Sequence, residues 1–193
     1  MCSSNGMTDP VRQAFLNKHN ELRSRVARGL ERDGAGGNAP KASKMLKMVY
    51  DCDVENSAMR HAQKCMFGHS GKGERSGLGE NLFMTSNSRI DDVAAANQAS
   101  ESWWSELQQK GVGQENKLSV STFNRGVGHY TQMAWEKSYK LGCAVKHCSG
   151  MTIVVCQYGP AGNMLNQPIY TKGEPCSGCP TTCSRNEGLC LVA

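Results

Sequence analysis

The N-terminal segment repeats its apolar residues at the period of an α-helix. The repeat starts after Thr8, which suits an N-cap, and Pro10, which suits a first helical turn. It stops at Gly29, and its apolar members are Val11, Phe15, Leu22 and Val26. The spacing predicts one helix with a single buried stripe, followed by a surface loop where glycine and proline interrupt residues 30–45.

Two more segments have helical periodicity. In the first, Asp51 or Asp53 can cap the helix, and the apolar spacing places Cys65 on the buried face. The second begins with acidic residues at Asp91, is rich in alanine, and stops at Lys110. The pattern therefore predicts a second and a third helix, with the third continuous to Lys110.

Shorter apolar runs predict strands. Residues 77–84 form a glycine-led apolar run that is typical of one strand. Two β-rich runs follow within residues 141–163, and the sequence HCSG between them is typical of a hairpin turn. Alternation is weak in residues 151–158, which is expected of a strand that is covered on both faces.

Composition narrows the class of protein. Hydrophobic residues make up 38% and charged residues 20% of the 193-residue chain, which is typical of a folded globular protein with one core. No apolar run approaches the roughly 20 residues needed to span a bilayer, so we expect a chain that is not membrane-embedded. The net charge of +5 is spread along the sequence, which argues against nucleic-acid binding.

Ten cysteines indicate an oxidising compartment and hence a secreted, extracellular protein. Because the first residues show no signal-peptide pattern, we interpret Met1 as a start placed before a mature chain. Four of the cysteines crowd into residues 175–190, which contain almost no apolar side chains. This tail must be held by disulfides rather than by a core of its own. Spacing alone determines none of the pairings.

Two of the five histidines lie in contexts that suit chemistry. His69 lies among glycines after the second predicted helix, and His129 lies in the aromatic stretch GHYTQMAW. Glu80 and Glu106 lie in apolar surroundings, where a carboxylate needs a partner. Such a set can bind a divalent ion, shuttle protons, or form a polar network that determines how the helices meet the sheet. Spacing leaves these three alternatives open.

Several segments occur in an order that is typical of one protein family. Two are long, GHYTQMAWEKS at 128–138 and IVVCQYGPAGNM at 153–164, and the short ones are GHS, GEN and WWSE. Together they resemble the CAP superfamily, which is named for cysteine-rich secretory proteins, antigen 5 and pathogenesis-related 1 proteins. The insertion DGAGGNAPKASKM and the segment YDCDVE resemble the activation-associated, or Ancylostoma-type, secreted proteins of parasitic nematodes.

The resemblance implies an α+β fold, a three-layer α-β-α sandwich with a small central, mainly antiparallel sheet that is stapled by disulfides. Residues 1–170 would form the CAP domain. Residues 171–193 would form a short cysteine-rich, hinge-like extension, without the further ion-channel-blocking domain of venom members. The pairs that family likeness suggests are Cys65–Cys143, Cys148–Cys156, Cys2–Cys52, Cys176–Cys183 and Cys179–Cys190.

The resemblance also implies a large central cavity. In some members two histidines there bind Zn²⁺ or another divalent cation, and we expect no obligatory cofactor. Here the metal ligands would be His69 and His129, with Glu80 and Glu106 as cavity partners. Tyr130 and Trp135 would pack against the cavity or line its wall.

Two classes of function remain. A zinc-dependent or serine-type hydrolase is the alternative, but neither G-x-S-x-G nor H-E-x-x-H occurs. We expect instead a secreted, non-enzymatic protein of host–parasite interaction that binds an unidentified host protein, glycan or lipid. A carrier of lipid or sterol needs a hydrophobic groove, which we expect beside residues 81–92 or 30–50. We expect a monomer or a weak homodimer.

Overall fold

A small sheet lies at the centre of the molecule. The computed structural model describes residues 1–192. The strands of the central sheet are β1 (Val49–Tyr50), β2 (Gly79–Thr85), β3 (Lys140–Cys148) and β4 (Met151–Gly159). Their order is β1-β3-β4-β2, and every neighbouring pair is antiparallel except β1 with β3. The sheet is therefore mainly antiparallel, with β2 at one edge.

Helices cover both faces of this sheet. Their bounds are α1 (Asp9–Ala27), α2 (Cys52–Ala62), α3 (Asp92–Trp104), α4 (Glu106–Lys110), α5 (Val120–Phe123) and α6 (Gly128–Ala134). Helix α2 packs against β3 and β4, while α1, α3 and α6 pack together on the other face. The α-β-α sandwich that the family resemblance implies is confirmed.

The first helix forms as its sequence pattern predicts. Thr8 is the N-cap residue, although its side chain makes no capping hydrogen bond, and Pro10 lies in the first turn. The apolar stripe is buried, and Phe15 and Val26 are fully enclosed. The same helix also buries polar side chains, which the apolar spacing did not predict: Arg12, His19, Asn20 and Arg23.

The second helix begins as predicted but ends earlier. The Asp51 carboxylate accepts a hydrogen bond of 3.0 Å from the Val54 amide and so caps the first turn. The helix ends at Ala62, and Cys65 has a left-handed backbone with φ of 52°. The prediction that Cys65 lies on the buried face of this helix is therefore wrong, because the chain has already turned out of the helix there.

The predicted third helix is divided in two. Helix α3 ends at Trp104, Ser105 is its C-terminal cap, and α4 starts at Glu106. Two further short helices, α5 and α6, were not predicted, since four and seven residues are too few to show a clear helical period. Among residues 1–192, no helix is long and apolar enough to cross a membrane.

The predicted hairpin is present between β3 and β4. Strand β4 is buried along nearly its whole length, as its weak alternation indicates. Gly142 lets α2 lie close to β3, because a Cβ atom there would be 2.1 Å from the Glu55 amide nitrogen. Any larger residue at this position would push the helix off the sheet.

Two of the five suggested disulfides are wrong. The structure pairs Cys143 with Cys156 and Cys65 with Cys148. Cys143 and Cys156 are directly opposite each other in the β3–β4 ladder, with Cα atoms 4.1 Å apart, so the register brings them together. Cys148, at the end of β3, is then bonded to Cys65 in the loop after α2. The other three suggested pairs are confirmed, namely Cys2–Cys52, Cys176–Cys183 and Cys179–Cys190.

The cysteine-rich tail contains a two-stranded sheet, β5 (Cys183–Ser184) and β6 (Leu189–Cys190). Its last strand is part of the core, because Leu189 and Cys190 are fully buried. The backbone of Cys190 exchanges hydrogen bonds of 2.7 and 2.8 Å with Met45 and Lys47. The division of the chain at residue 170 stays a prediction, but the tail is anchored on the body as well as stapled.

Candidate functional site

One cleft brings the four candidate side chains together. It has a volume of about 360 Å³ and lies at the edge strand β2. One histidine comes from the loop after α2, and the other comes from α6 in the opposite helical layer. The side chains that line it include His69, Glu80, Glu106 and His129, together with Asn81, Lys110, Phe123 and Asn163.

Glu80 holds the first histidine. It projects from β2, its side chain is fully buried, and one of its oxygens lies 2.9 Å from Nδ1 of His69. A carboxylate can only accept here, so Nδ1 carries the proton. The other donors are the Ser70 amide at 2.9 Å, the Ser70 hydroxyl at 2.7 Å and the Gln157 amide group at 2.8 Å. The sequence indicated neither Ser70 nor Gln157 as a partner of Glu80.

These donors keep the Glu80 carboxylate ionised. Burial alone would raise its pKa, but the hydrogen bonds from His69, Ser70 and Gln157 outweigh burial and lower the pKa to about 2. The Arg75 guanidinium adds a positive charge 3.7 Å away. Glu80 is therefore a stable negative charge behind His69 and a very weak base.

Glu106 holds the second histidine. It is the first residue of α4, and one oxygen accepts the backbone amides of His129 at 3.0 Å and Tyr130 at 2.9 Å. Its other oxygen lies 2.8 Å from Nδ1 of His129. The Trp103 ring stacks on the imidazole, with 6.2 Å between centroids and 15° between planes. Glu106 thus accepts the free backbone amides at the start of α6 and orients the ring of His129.

The two pairs share one chemical arrangement. In each, Nδ1 is occupied by a carboxylate, so the neutral ring has its lone pair on Nε2. The side chains of His69 and His129 are 56% and 37% exposed, so both rings are open to the cleft. A carboxylate behind each imidazole is the arrangement that orients histidine ligands of metal ions. Two imidazoles oriented in this way are chemically suitable ligands for a divalent ion.

A different trio of potential metal ligands is excluded. The sulfur atoms of Cys176, Cys179 and Cys183 lie within 4.8 Å of one another, and they form the only such trio of close histidine, cysteine or carboxylate ligands in residues 1–192. All three sulfurs are in disulfides, with Cys190 as the fourth partner. Oxidised sulfurs are not thiolate ligands, so the trio follows from the disulfide geometry.

Tyr130 and Trp135 are not among the residues that line this cleft. Tyr130 is almost fully buried and packs edge-on against Trp104, with ring centroids 4.8 Å apart. Trp135 lines a larger cavity of about 540 Å³ instead, together with Pro160, Met164, Ile169 and other residues of the segment that follows β4. Lys44 is the residue of segments 30–50 and 81–92 that lines this larger cavity, and a ligand groove beside either segment stays a prediction.

Sequence comparison places this architecture among known proteins. Residues 16–158 match the model of the CAP, or cysteine-rich secretory protein, family. Ancylostoma secreted protein of Ancylostoma caninum is 58% identical over 98% of this chain. The chain spans 46% of the length of that relative.

Solved structures agree with this placement. The crystal structure of NaASP2 with Zn²⁺ matches with a TM-score of 0.97 and 58% identity, covering 98% of this chain and 100% of that one. The crystal structure of hookworm platelet inhibitor matches with a TM-score of 0.75 and 32% identity, covering 98% of this chain and 94% of that one. The chain therefore belongs to the cysteine-rich secretory protein (CAP) family and is a disulfide-rich, secreted, extracellular protein.

Proposed function

We propose that the chain is a non-enzymatic binding protein of a parasitic nematode that holds a divalent cation between His69 and His129. The observation that carries the proposal is the pairing of each Nδ1 with a buried or half-buried carboxylate, which leaves both Nε2 atoms available in one cleft. The 58% identical NaASP2 has been solved with Zn²⁺, which supports zinc as the first ion to test. Bound there, the ion would act as an anchor for a ligand group.

The hydrogen bonds of the cleft favour binding over catalysis. The Ser70 hydroxyl donates to Glu80 rather than to a histidine, so it is not arranged as an activated nucleophile. Glu80, with its pKa of about 2, is too weak a base to take a proton from water near neutral pH. Both oxygens of Glu106 are already engaged by donors from α6. Each carboxylate of the cleft is therefore used to hold a histidine, which favours a binding role.

The ligand that we propose comes from the host. Hookworm platelet inhibitor, which is 32% identical and has the same fold, is named for an action on platelets, which are cells of a vertebrate host. A host protein, glycan or lipid is in keeping with a secreted relative of this kind. The chain would then act in host–parasite interaction by recognition.

Zinc titration tests the proposed metal site. We expect the wild-type chain to bind one Zn²⁺ in calorimetry, His69→Ala or His129→Ala to weaken affinity at least about tenfold, and the double variant to lose binding. His147→Ala is the matched control, because His147 also pairs with a carboxylate, Asp92 at 2.6 Å, but lies outside the cleft. Undiminished zinc binding by the double variant would refute the assignment.

The larger cavity favours an amphiphilic molecule as one ligand class. Its wall is mainly apolar, with Trp135 and Ile169 among its residues. Lys44 and Lys137 add two positive charges, and Glu136 adds one negative charge that already accepts a hydrogen bond from the Thr171 amide. A volume of about 540 Å³ lies in the range of small-ligand pockets, and this composition suits an apolar body with an anionic head. The site does not include the two histidines.

Oleate is a suitable probe of this second site. We expect the wild-type chain to bind oleate, and the double variant Lys44→Ala, Lys137→Ala to bind it several-fold more weakly, because the carboxylate loses both positive charges. His69→Ala with His129→Ala serves as the control and should bind oleate like wild type. Equal oleate affinity in the lysine variant and the wild type would exclude this cavity as a site where the two lysines bind an anionic head group.

A further inference from the structure

A line of buried polar groups crosses the core and ends at the backbone of His129. It starts in α1 with His19, whose Nδ1 lies 2.8 Å from the Phe15 carbonyl oxygen and whose Nε2 lies 2.8 Å from the Tyr158 hydroxyl. Asn81 donates from its amide nitrogen to that same hydroxyl at 3.2 Å and to the His129 carbonyl at 3.0 Å. The three side chains of the line are 0% to 1% exposed.

The chemistry of each group determines the direction of every hydrogen bond in the line. The Phe15 carbonyl can only accept, so Nδ1 of His19 carries the proton. Burial lowers the pKa of His19 to about 4, so the ring is neutral at physiological pH and Nε2 is an acceptor. The Tyr158 hydroxyl must then donate to His19 and accept from Asn81. One N–H of the Asn81 amide group donates to this hydroxyl, and the other donates to the His129 carbonyl.

Asn81, at the end of the line, and Glu106 both form hydrogen bonds with His129. Glu106 engages the amide and the ring, whereas Asn81 engages the carbonyl of the same residue. Asn81 directly follows Glu80 on β2, and Glu80 holds His69. Adjacent residues on one edge strand therefore hold both histidines of the cleft, each from its own face of the strand.

We propose that His19, Tyr158 and Asn81 are positioning residues for His129, so that the geometry of the cleft depends on a hydrogen-bond line that reaches into α1. This inference rests on the proposed function where it concerns metal affinity. The position of His129 itself is independent of any metal. Asn81 contacts the backbone of His129 directly, whereas Tyr158 acts through Asn81 and His19 acts through Tyr158.

The variant Tyr158→Phe tests the line with the smallest change. It keeps the ring but removes the hydroxyl, so Asn81 loses the acceptor that holds its amide group in place. In the metal-free protein we expect hydrogen exchange of the His129 and Tyr130 amides to accelerate about tenfold or more, because their helix start becomes looser. Zinc affinity should fall about tenfold in calorimetry.

Tyr50→Phe is the matched control. Tyr50 is half-buried, and its hydroxyl forms hydrogen bonds with the Glu55 carboxylate and the Cys143 carbonyl, away from the line and from both reporter amides. This variant should lose stability without faster exchange at His129 and Tyr130 and without weaker zinc binding. Asn81→Ser, which removes the donor to His129, is the second variant if Tyr158→Phe does not fold.

The outcomes separate the two proposals. Faster exchange at His129 and Tyr130 with weaker zinc binding supports both. If the wild type binds no zinc and the variant still shows faster exchange, the positioning role stands and the metal function is removed. Wild-type exchange at both amides in a folded Tyr158→Phe or Asn81→Ser variant overturns the positioning role, whatever the zinc affinity.

Discussion

At the scale of single residues, Glu106 has two structural tasks. Its carboxylate accepts two backbone amides at the start of α6 and also the ring N–H of His129. The two amides would otherwise be unsatisfied donors at a helix start. These hydrogen bonds hold the carboxylate against the start of α6 with one oxygen directed at the imidazole. We therefore interpret it as the group that orients His129.

The substitution Glu106→Gln separates the two tasks. A glutamine oxygen can still accept the amides of His129 and Tyr130, but its NH₂ group cannot accept from Nδ1. We expect helix α6 to remain folded and zinc affinity in calorimetry to fall about 10- to 100-fold, because the imidazole loses its orienting charge. Glu115→Gln, at an exposed loop position, is the control that should bind zinc normally. Full zinc affinity in Glu106→Gln would show that orientation by this carboxylate is unimportant.

At the scale of elements, the sequence predicts the helices and strands that are long or that show a clear apolar pattern. The stripe of α1, the cap of α2 and the apolar runs of β2, β3 and β4 each carry a local signal. Helix α6 carries His129 but has only seven residues, and it is held by Glu106 from another element rather than by its own pattern. Tertiary contacts therefore decide where the chain around His129 becomes helical.

For the cleft and the disulfides, the local sequence identifies candidate residues, but the tertiary structure determines which of them are in contact. His69, His129, Glu80 and Glu106 could be selected as candidates from their sequence contexts, but only the resemblance implied that they meet in one cavity. The partner of each carboxylate depends on how β2 and α4 are placed. Likewise, the pairing of Cys143 with Cys156 follows from the strand register, which cysteine spacing does not contain.

At the scale of the whole molecule, ionisable groups buried in the core make the fold sensitive to acid. Burial lowers the pKa of His19 from 6.5 to about 4. Between these values the unfolded chain binds a proton that the folded chain does not, so the free energy of unfolding falls as the pH falls. The loss amounts to about 3 kcal/mol at pH 4 and levels off below that pH, where the folded chain binds the proton as well.

Glu80 adds a second loss at lower pH. Its pKa is about 2 in the folded protein because the donors around it outweigh burial, and its ordinary value is 4.5. Its stabilising effect is therefore complete above pH 4.5 and disappears as the pH falls toward 2. The two groups act in consecutive pH windows, so their contributions can be measured separately.

Urea unfolding of three proteins from pH 7 to pH 3 tests this division. The wild type should lose stability in both windows. His19→Gln, which replaces the titrating ring with an amide that can still accept from Tyr158, should lose much less between pH 6.5 and pH 4 and should keep the loss below 4.5. Glu80→Gln should show the reverse, with a normal loss in the upper window and a reduced one in the lower. If His19→Gln has the same slope as the wild type between pH 6.5 and pH 4, the buried neutral histidine is not the source of the acid sensitivity, and the hydrogen-bond direction assigned to His19 and Tyr158 fails with it.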